Sequence, residues 1–210
     1  LLPGVGSFRP ADLAAARSLT ARDLLEDAAS ARWDLFPAFL NPLEAHGKLG
    51  DALFQFPRWS HLLPRVLRYL EHVGYRLQDR PIAVEWRQRS WVQGAVKREV
   101  ARARKDLQMA YVVPDCPPVD WAPRPVVEIT APWSVIRLHG RNAAGWERGA
   151  GLEAAYDYLY TEEELREWAG RARSIAVGVD QLSLTCNNCT GGQAAVNAAR
   201  MVQLLLGDGG

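Results

Sequence analysis

Five short apolar, β-branched runs alternate with segments of helical periodicity along most of this chain, and that alternation admits few folds. The runs are Ala52–Phe56, closed by Pro57; Ile82–Trp86; Leu107–Val113, closed by Pro114; Ser134–Leu138; and Leu182–Thr185. Between them, Leu62–Leu77 carries apolar residues at Leu63, Val66, Leu67 and Leu70, the three-to-four spacing of a helix. Val92–Arg104 and Gln193–Leu206 read the same way. Thr161 and Glu164 form a capping-box signal that opens a further helix. Upstream, Ala11–Ala31 reads as a helix and Asp34–Ala45 as a shorter one interrupted by Pro37 and Pro42, while Val126–Ile129 reads as a short extra strand. Strands alternating with helices predict βα units and a parallel sheet in an α/β fold. Five main units are too few for a closed eightfold barrel of about 250 residues and suit an open doubly wound sheet. No internal repeat or long linker divides residues 1–210, so one domain is expected.

Charge narrows the partners. Lysine and arginine number 25 against 24 acids, a net charge of +1, so no global basic or acidic field favours nucleic acid or an anionic membrane. No apolar run approaches the roughly 18–20 residues that span a bilayer. Three cysteines, Cys116, Cys186 and Cys189, are too few for a secreted disulfide framework and point to a reducing cytoplasm. The C-x-x-C spacing of Cys186 and Cys189 lacks a second pair for zinc and reads as coincidence.

Polar chemistry collects where the strands end. Trp133-Ser134-Val135-Ile136 runs into Arg137-Leu138-His139-Gly140-Arg141-Asn142, a sudden concentration of strong donors that folding does not require. In parallel α/β folds, ligands bind beyond the carboxyl ends of the strands. Those ends also supply Gln55, the Glu85-Trp86-Arg87 segment with Trp91, Asp115, and the pair Asn187 and Asn188. Glu85 and Asp115 are candidates for acid–base work or for holding a divalent cation, or else they neutralise rim arginines. His139 is a candidate base or metal ligand. Arg87, Arg137 and Arg141 offer planar forks suited to phosphate or carboxylate. Asn142, Asn187 and Asn188 are candidates for orienting a substrate, and Trp91 and Tyr158 for stacking on one. Glu85, Asp115, Arg87, Arg137, His139, Arg141 and Asn187 are expected to converge within one concave cleft.

The chain resembles the YecE-like family (domain of unknown function 72). The resemblance rests on Leu53-Phe54-Gln55-Phe56-Pro57 after Gly47-Lys48-Leu49-Gly50, and on Val84-Glu85-Trp86-Arg87 with Arg89-Ser90-Trp91. It continues through Arg137–Asn142 with Trp146, Tyr156-Asp157-Tyr158-Leu159-Tyr160, Glu163-Glu164-Leu165, and Asn187-Asn188 with Ala194, Asn197 and Ala198. It covers about residues 35–206 and implies a TIM-barrel-like fold of cytoplasmic proteins with no established activity. Family members open with a Gly-Thr-Ser-Gly-Trp-like strand and then one bearing Glu and Asn, neither of which is found here. The resemblance therefore implies an incomplete barrel, its five main strands being strands four to eight, with open edges through which it would oligomerise. Residues 1–31 would partly cover the gap or pack loosely.

Two classes of function are expected. One is an enzyme acting on a phosphorylated or nucleic-acid-like anionic substrate, a small molecule or a nucleic-acid-like ligand, with Glu85, Asp115 and His139 doing chemistry, the arginines holding the anion and a divalent metal as candidate cofactor. The other is a non-catalytic barrel that binds an anion or partner and regulates something else.

Overall fold

A computed structural model describes residues 27–60, 63–147 and 151–207. The helix expected at Ala11–Ala31 lies mostly outside the described residues. Two compact units divide at Leu49 and Gly50, and each is described by itself.

The first unit contains helix α1 (Asp27–Ala45). It is one continuous helix, not the shorter, interrupted one expected from Pro37 and Pro42. A proline removes one N–H from the helical ladder and already holds the helical φ, so flanking bonds carry the helix across both sites. The helix stops where Gly47 turns left-handed at φ 62°. Gly47 N donates to Glu44 O at 2.9 Å and Lys48 N to Leu43 O at 2.7 Å, the paired bonds of a Schellman cap.

The second unit is a βα array. Strands β1 (Ala52–Phe56), β2 (Ile82–Trp86), β3 (Ala110–Asp115), β4 (Trp133–Leu138) and β5 (Gln181–Cys186) form one five-stranded sheet in the order 1-2-3-4-5, every pair parallel. Helices α2 (Leu63–Arg76), α3 (Gly94–Asp106), α4 (Gly151–Ala155), α5 (Glu162–Ala176) and α6 (Gln193–Leu206) lie between and after them. Each long helix buries one stripe, such as Val66, Leu70 and Val73 on α2, or Leu165, Trp168, Ala172 and Ile175 on α5. The Thr161–Glu164 capping box forms with both reciprocal bonds.

Sequential order excludes the doubly wound alternative, which requires the strand order to reverse at a switch point. Right-handed crossovers without a reversal place the helices on one face and curl the sheet toward a barrel. The curl is visible in the contacts. Ser183 on β5 donates to Asp51, beside β1, at 3.3 Å, and Arg137 on β4 donates to Gln55 on β1 at 3.3 Å. In a flat sheet β1 and β5 would stand about 19 Å apart. Ala83, Ala110, Val112 and Val135 line the inner face with Trp133, whose indole donates across to Ile82 O at 3.2 Å.

Two elements differ from expectation. Strand β3 begins at Ala110 instead of Leu107, because α3 runs to Asp106 and Gln108 takes a left-handed turn at φ 50°. Val126–Ile129 is not a strand. Strand β3 is already paired by β2 and β4, leaving no ladder for it, and Glu128 instead holds Arg104 at 2.7 Å and Lys97 at 3.0 Å. Strands β2 and β3 are buried throughout, whereas β1 and β5, each paired on one side among the described residues, are partly exposed.

Candidate functional site

Period two along each strand sends Glu85, Arg87, Arg137 and His139 to the inner face near the strand ends. They meet in one network. Glu85, fully buried, receives Nη1 of Arg87 on Oε1 at 3.1 Å, Nε2 of His139 on Oε1 at 3.1 Å, and Nη1 of Arg137 on Oε2. Arg137 Nη2 donates to Asn187 Oδ1 at 3.0 Å, and Asn187 Nδ2 lies 3.1 Å from His139 Nδ1. Arg87 also donates through Nη2 to the Tyr156 hydroxyl at 3.3 Å.

These contacts set the charges. Burial alone would raise Glu85, but the hydrogen bond from His139 and the charges of Arg137 and Arg87 bring it down to about 2. Burial lowers His139 to about 4, against the opposing pull of Glu85, so the imidazole is neutral at pH 7. Two guanidiniums therefore face one carboxylate, and the cluster carries excess positive charge. An aromatic column fixes Arg87 from behind. Its guanidinium lies 4.6 Å over Trp146, Trp146 stacks on Trp121 at 5.2 Å, and Arg58 lies 3.5 Å over Trp121.

Asp115 and Arg141 form a second network beside the first. Arg141 grips Asp115 with Nε at 2.8 Å and Nη2 at 3.1 Å, and donates through Nη1 to Glu164 at 3.0 Å, with Glu167 at 3.6 Å. Tyr160 donates to Asp115 at 2.6 Å and accepts the Gly140 N–H at 2.9 Å. Burial pushes the Asp115 carboxyl up, and Arg141 and Tyr160 draw it partway back. Three carboxylates surround one guanidinium here, so Arg141 has no excess charge for a ligand. Glu164, which also caps α5, ties the strand end to that helix. Among the described residues, no three or more His, Cys, Asp or Glu side chains gather as a metal site requires. Glu85 and His139 meet, while Asp115 is held by Arg141.

The family model "Protein of unknown function DUF72" matches residues 11–209. The chain belongs to the DUF72 family. It is 29% identical to UPF0759 protein YunF of Bacillus subtilis (strain 168) over 185 residues, covering 85% of this chain and 66% of that protein. Two crystal structures of DUF72 proteins are similar to it, each with a TM-score of 0.76 and 29% identity. The one from Enterococcus faecalis V583 is matched over 83% of this chain and 66% of that one. The one from Thermotoga maritima MSB8 is matched over 83% and 65%. The chain spans about two thirds of the length of these relatives. The TIM-barrel-like fold implied by the resemblance stands, with five parallel strands among the described residues. No helix among the described residues is long and apolar enough to cross a membrane.

Within this DUF72 chain the residues singled out in the sequence divide by what they touch. Glu85, Arg87, Arg137, His139 and Asn187 meet in the first network. Asp115 and Arg141 meet in the second, joined to the first where His139 N donates to Asp115 O at 3.0 Å. Tyr158 belongs to the second through its hydroxyl on Glu164 at 2.8 Å. Asn142 binds its own loop, donating to Ala154 O and Asp157 O and accepting from Gly145 N. Asn188 is fully buried and ties Tyr158 O to Asn197. Trp91 stacks on Trp86 at 4.9 Å and donates to Ser60 O, inside the core. Tyr160, Glu164 and Trp121 were not among the candidates. The two tyrosines flanking Leu159 share one face of an extended segment, a signal for Tyr160. Trp121 sits in a Pro-rich loop with no periodicity to mark it. All three cysteines are free thiols.

Proposed function

We propose that the strand-end cluster of Arg87, Arg137, Glu85, His139 and Asn187 is the substrate site of an enzyme acting on a phosphorylated or nucleic-acid-like anionic molecule. The excess of two guanidiniums over one buried carboxylate carries this reading. A partly enclosed cationic cluster is relieved by an anion, and the guanidinium fork fits phosphate oxygens. The side chains of Arg137 and Arg87 are only 14% and 10% exposed, so a bound anion would meet them partly desolvated, where charge-assisted bonds are strong. Glu85 and His139 are the proton-handling pair, the carboxylate holding the imidazole and compensating the charge it gains.

The test is calorimetric titration of the full chain with inorganic pyrophosphate. Loss of one charge-assisted contact, about 1.5–3 kcal/mol, predicts roughly 10- to 150-fold weaker binding for Arg137→Ala. Arg141→Ala, already saturated by carboxylates, should bind within about twofold of wild type. Equal affinity in wild type and Arg137→Ala would overturn the site.

The enclosure of His139, which is 0% exposed, favours a second reading, an anion-binding barrel without chemistry of its own. Turnover of phosphate mono- or diesters that falls in His139→Gln while pyrophosphate binding persists separates the enzyme from that alternative.

A further inference from the structure

We propose that Asn187 is a positioning residue whose side-chain amide, itself oriented by Arg137, holds His139 as the neutral tautomer with its proton on Nε2 and its lone pair on Nδ1. The imidazole then enters any reaction as a proton acceptor. The functional part of this inference rests on the reading of His139 as a proton-handling group.

Donors and acceptors around the imidazole fix the tautomer. Arg137 Nη2 lies 3.0 Å from Asn187 Oδ1, and a guanidinium can only donate. The amide oxygen must therefore face Arg137, since the flipped amide would set N–H against N–H. That orientation turns Nδ2 toward His139 Nδ1 at 3.1 Å, where it donates. The other neighbour of Nδ1 is Nη1 of Arg87 at 3.3 Å, which also has no lone pair to offer. A ring proton on Nδ1 would meet donors alone. On the other side, Nε2 lies 3.1 Å from Oε1 of the ionised Glu85, an acceptor. Nη1 of Arg87 lies 3.1 Å from Nε2 as well, but both stand 3.1 Å from Oε1 of Glu85 and share it as acceptor, which leaves the second Nη1 hydrogen for Nδ1. The Nε2–H tautomer therefore gives each ring nitrogen a partner, whereas a proton on Nδ1 would point at donors alone.

The result is a closed ring of bonds. Arg137 donates to Asn187 and to Glu85, Asn187 donates to His139, and His139 donates to Glu85. Asn187 and Arg137 are the members of the ring that meet solvent, both half-buried, while His139 and Glu85 are enclosed, and of the two Asn187 stands at Nδ1. A substrate hydroxyl or a water reaching the imidazole takes the place of the Asn187 amide at Nδ1. Its O–H bond breaks, an N–H bond forms at Nδ1, the oxygen keeps the electron pair, and Glu85 compensates the imidazolium.

The full chain labelled with 15N-histidine reports the tautomer directly through two-bond proton–nitrogen correlations at neutral pH. His139 is assigned as the pattern missing from His139→Gln. Wild type should show the Nε2–H pattern. Asn187→Asp, which puts an acceptor opposite Nδ1, should convert it to the imidazolium pattern at the same pH. A wild-type Nδ1–H or imidazolium pattern overturns the proposal, and this readout needs no variant of Asn187 to fold. An unchanged pattern in folded Asn187→Asp overturns it as well. Pyrophosphate titration of the same wild-type sample tests the anion site separately, so either reading can fail without the other.

Discussion

Two networks of buried carboxylate, arginine and aromatic residues stand side by side at the strand ends, and they balance charge in opposite ways. Around Glu85, two guanidiniums share one carboxylate and a neutral histidine. Around Arg141, one guanidinium is shared by Asp115, Glu164 and Glu167. Residue types alone would have classed them together. The difference is that the first is left with unmatched positive charge, as a receptor for anions is, and the second is over-neutralised, as a brace between strand and helix can be. A candidate site is thus better judged by its local charge balance than by its count of arginines.

The comparison breaks most directly on the two acids. Glu85→Gln leaves two buried guanidiniums without a counter-charge and should cost about 3–5 kcal/mol. Asp115→Asn leaves Arg141 with Glu164 and Glu167 and a quarter of its side chain in water, so about 1–3 kcal/mol is expected. Denaturant unfolding of both variants measures the gap. Equal costs would mean that the networks are alike.

Next is acid sensitivity. His139 is held at about 4 by burial, against an unfolded value near 6.5, so the unfolded chain binds the proton first. Stability from this group is intact above pH 6.5 and falls as pH drops toward 4, by on the order of 3 kcal/mol. Glu85, depressed to about 2, adds a further loss from about pH 4.5 downward. Urea unfolding across pH 7 to 4 should show the upper step in wild type and not in His139→Gln. An identical pH dependence in both would remove His139 from the account.

The smallest effect falls between the networks, at Gly140. Its φ is 89°, and a Cβ there would stand 2.7 Å from that of Tyr158. Gly140→Ala should cost about 2 kcal/mol, from left-handed strain and the shift forced on Tyr158. A thermal melt checks this, and an unchanged midpoint would show that the turn tolerates a side chain.

Much of the fold was legible along the chain. The runs at 52–56 and 82–86, the α6 span Gln193–Leu206 and the Thr161–Glu164 cap all appear where periodicity and capping chemistry place them. These depend on neighbours within a turn or two, which a sequence displays. The failures were non-local. Val126–Ile129 has strand composition, but a strand needs a free edge, and β3 had none to offer. Asn142, Asn188 and Trp91 looked like rim residues, yet their polar groups close loops and core contacts, because a side chain's direction depends on what packs behind it.

By itself, the sequence determined that strands would alternate with helices and that polar groups would crowd the strand ends, since both follow from spacing along the backbone. Only the tertiary structure decided how those groups pair. Arg137 could have held Asp115, and Arg141 could have held Glu85. Strand order, sheet curl and the reach of a guanidinium brought Arg137 to Glu85 and Asn187, and left Arg141 to Asp115 and α5. Charge balance is a property of distances across strands, and those are fixed only once the sheet has curled.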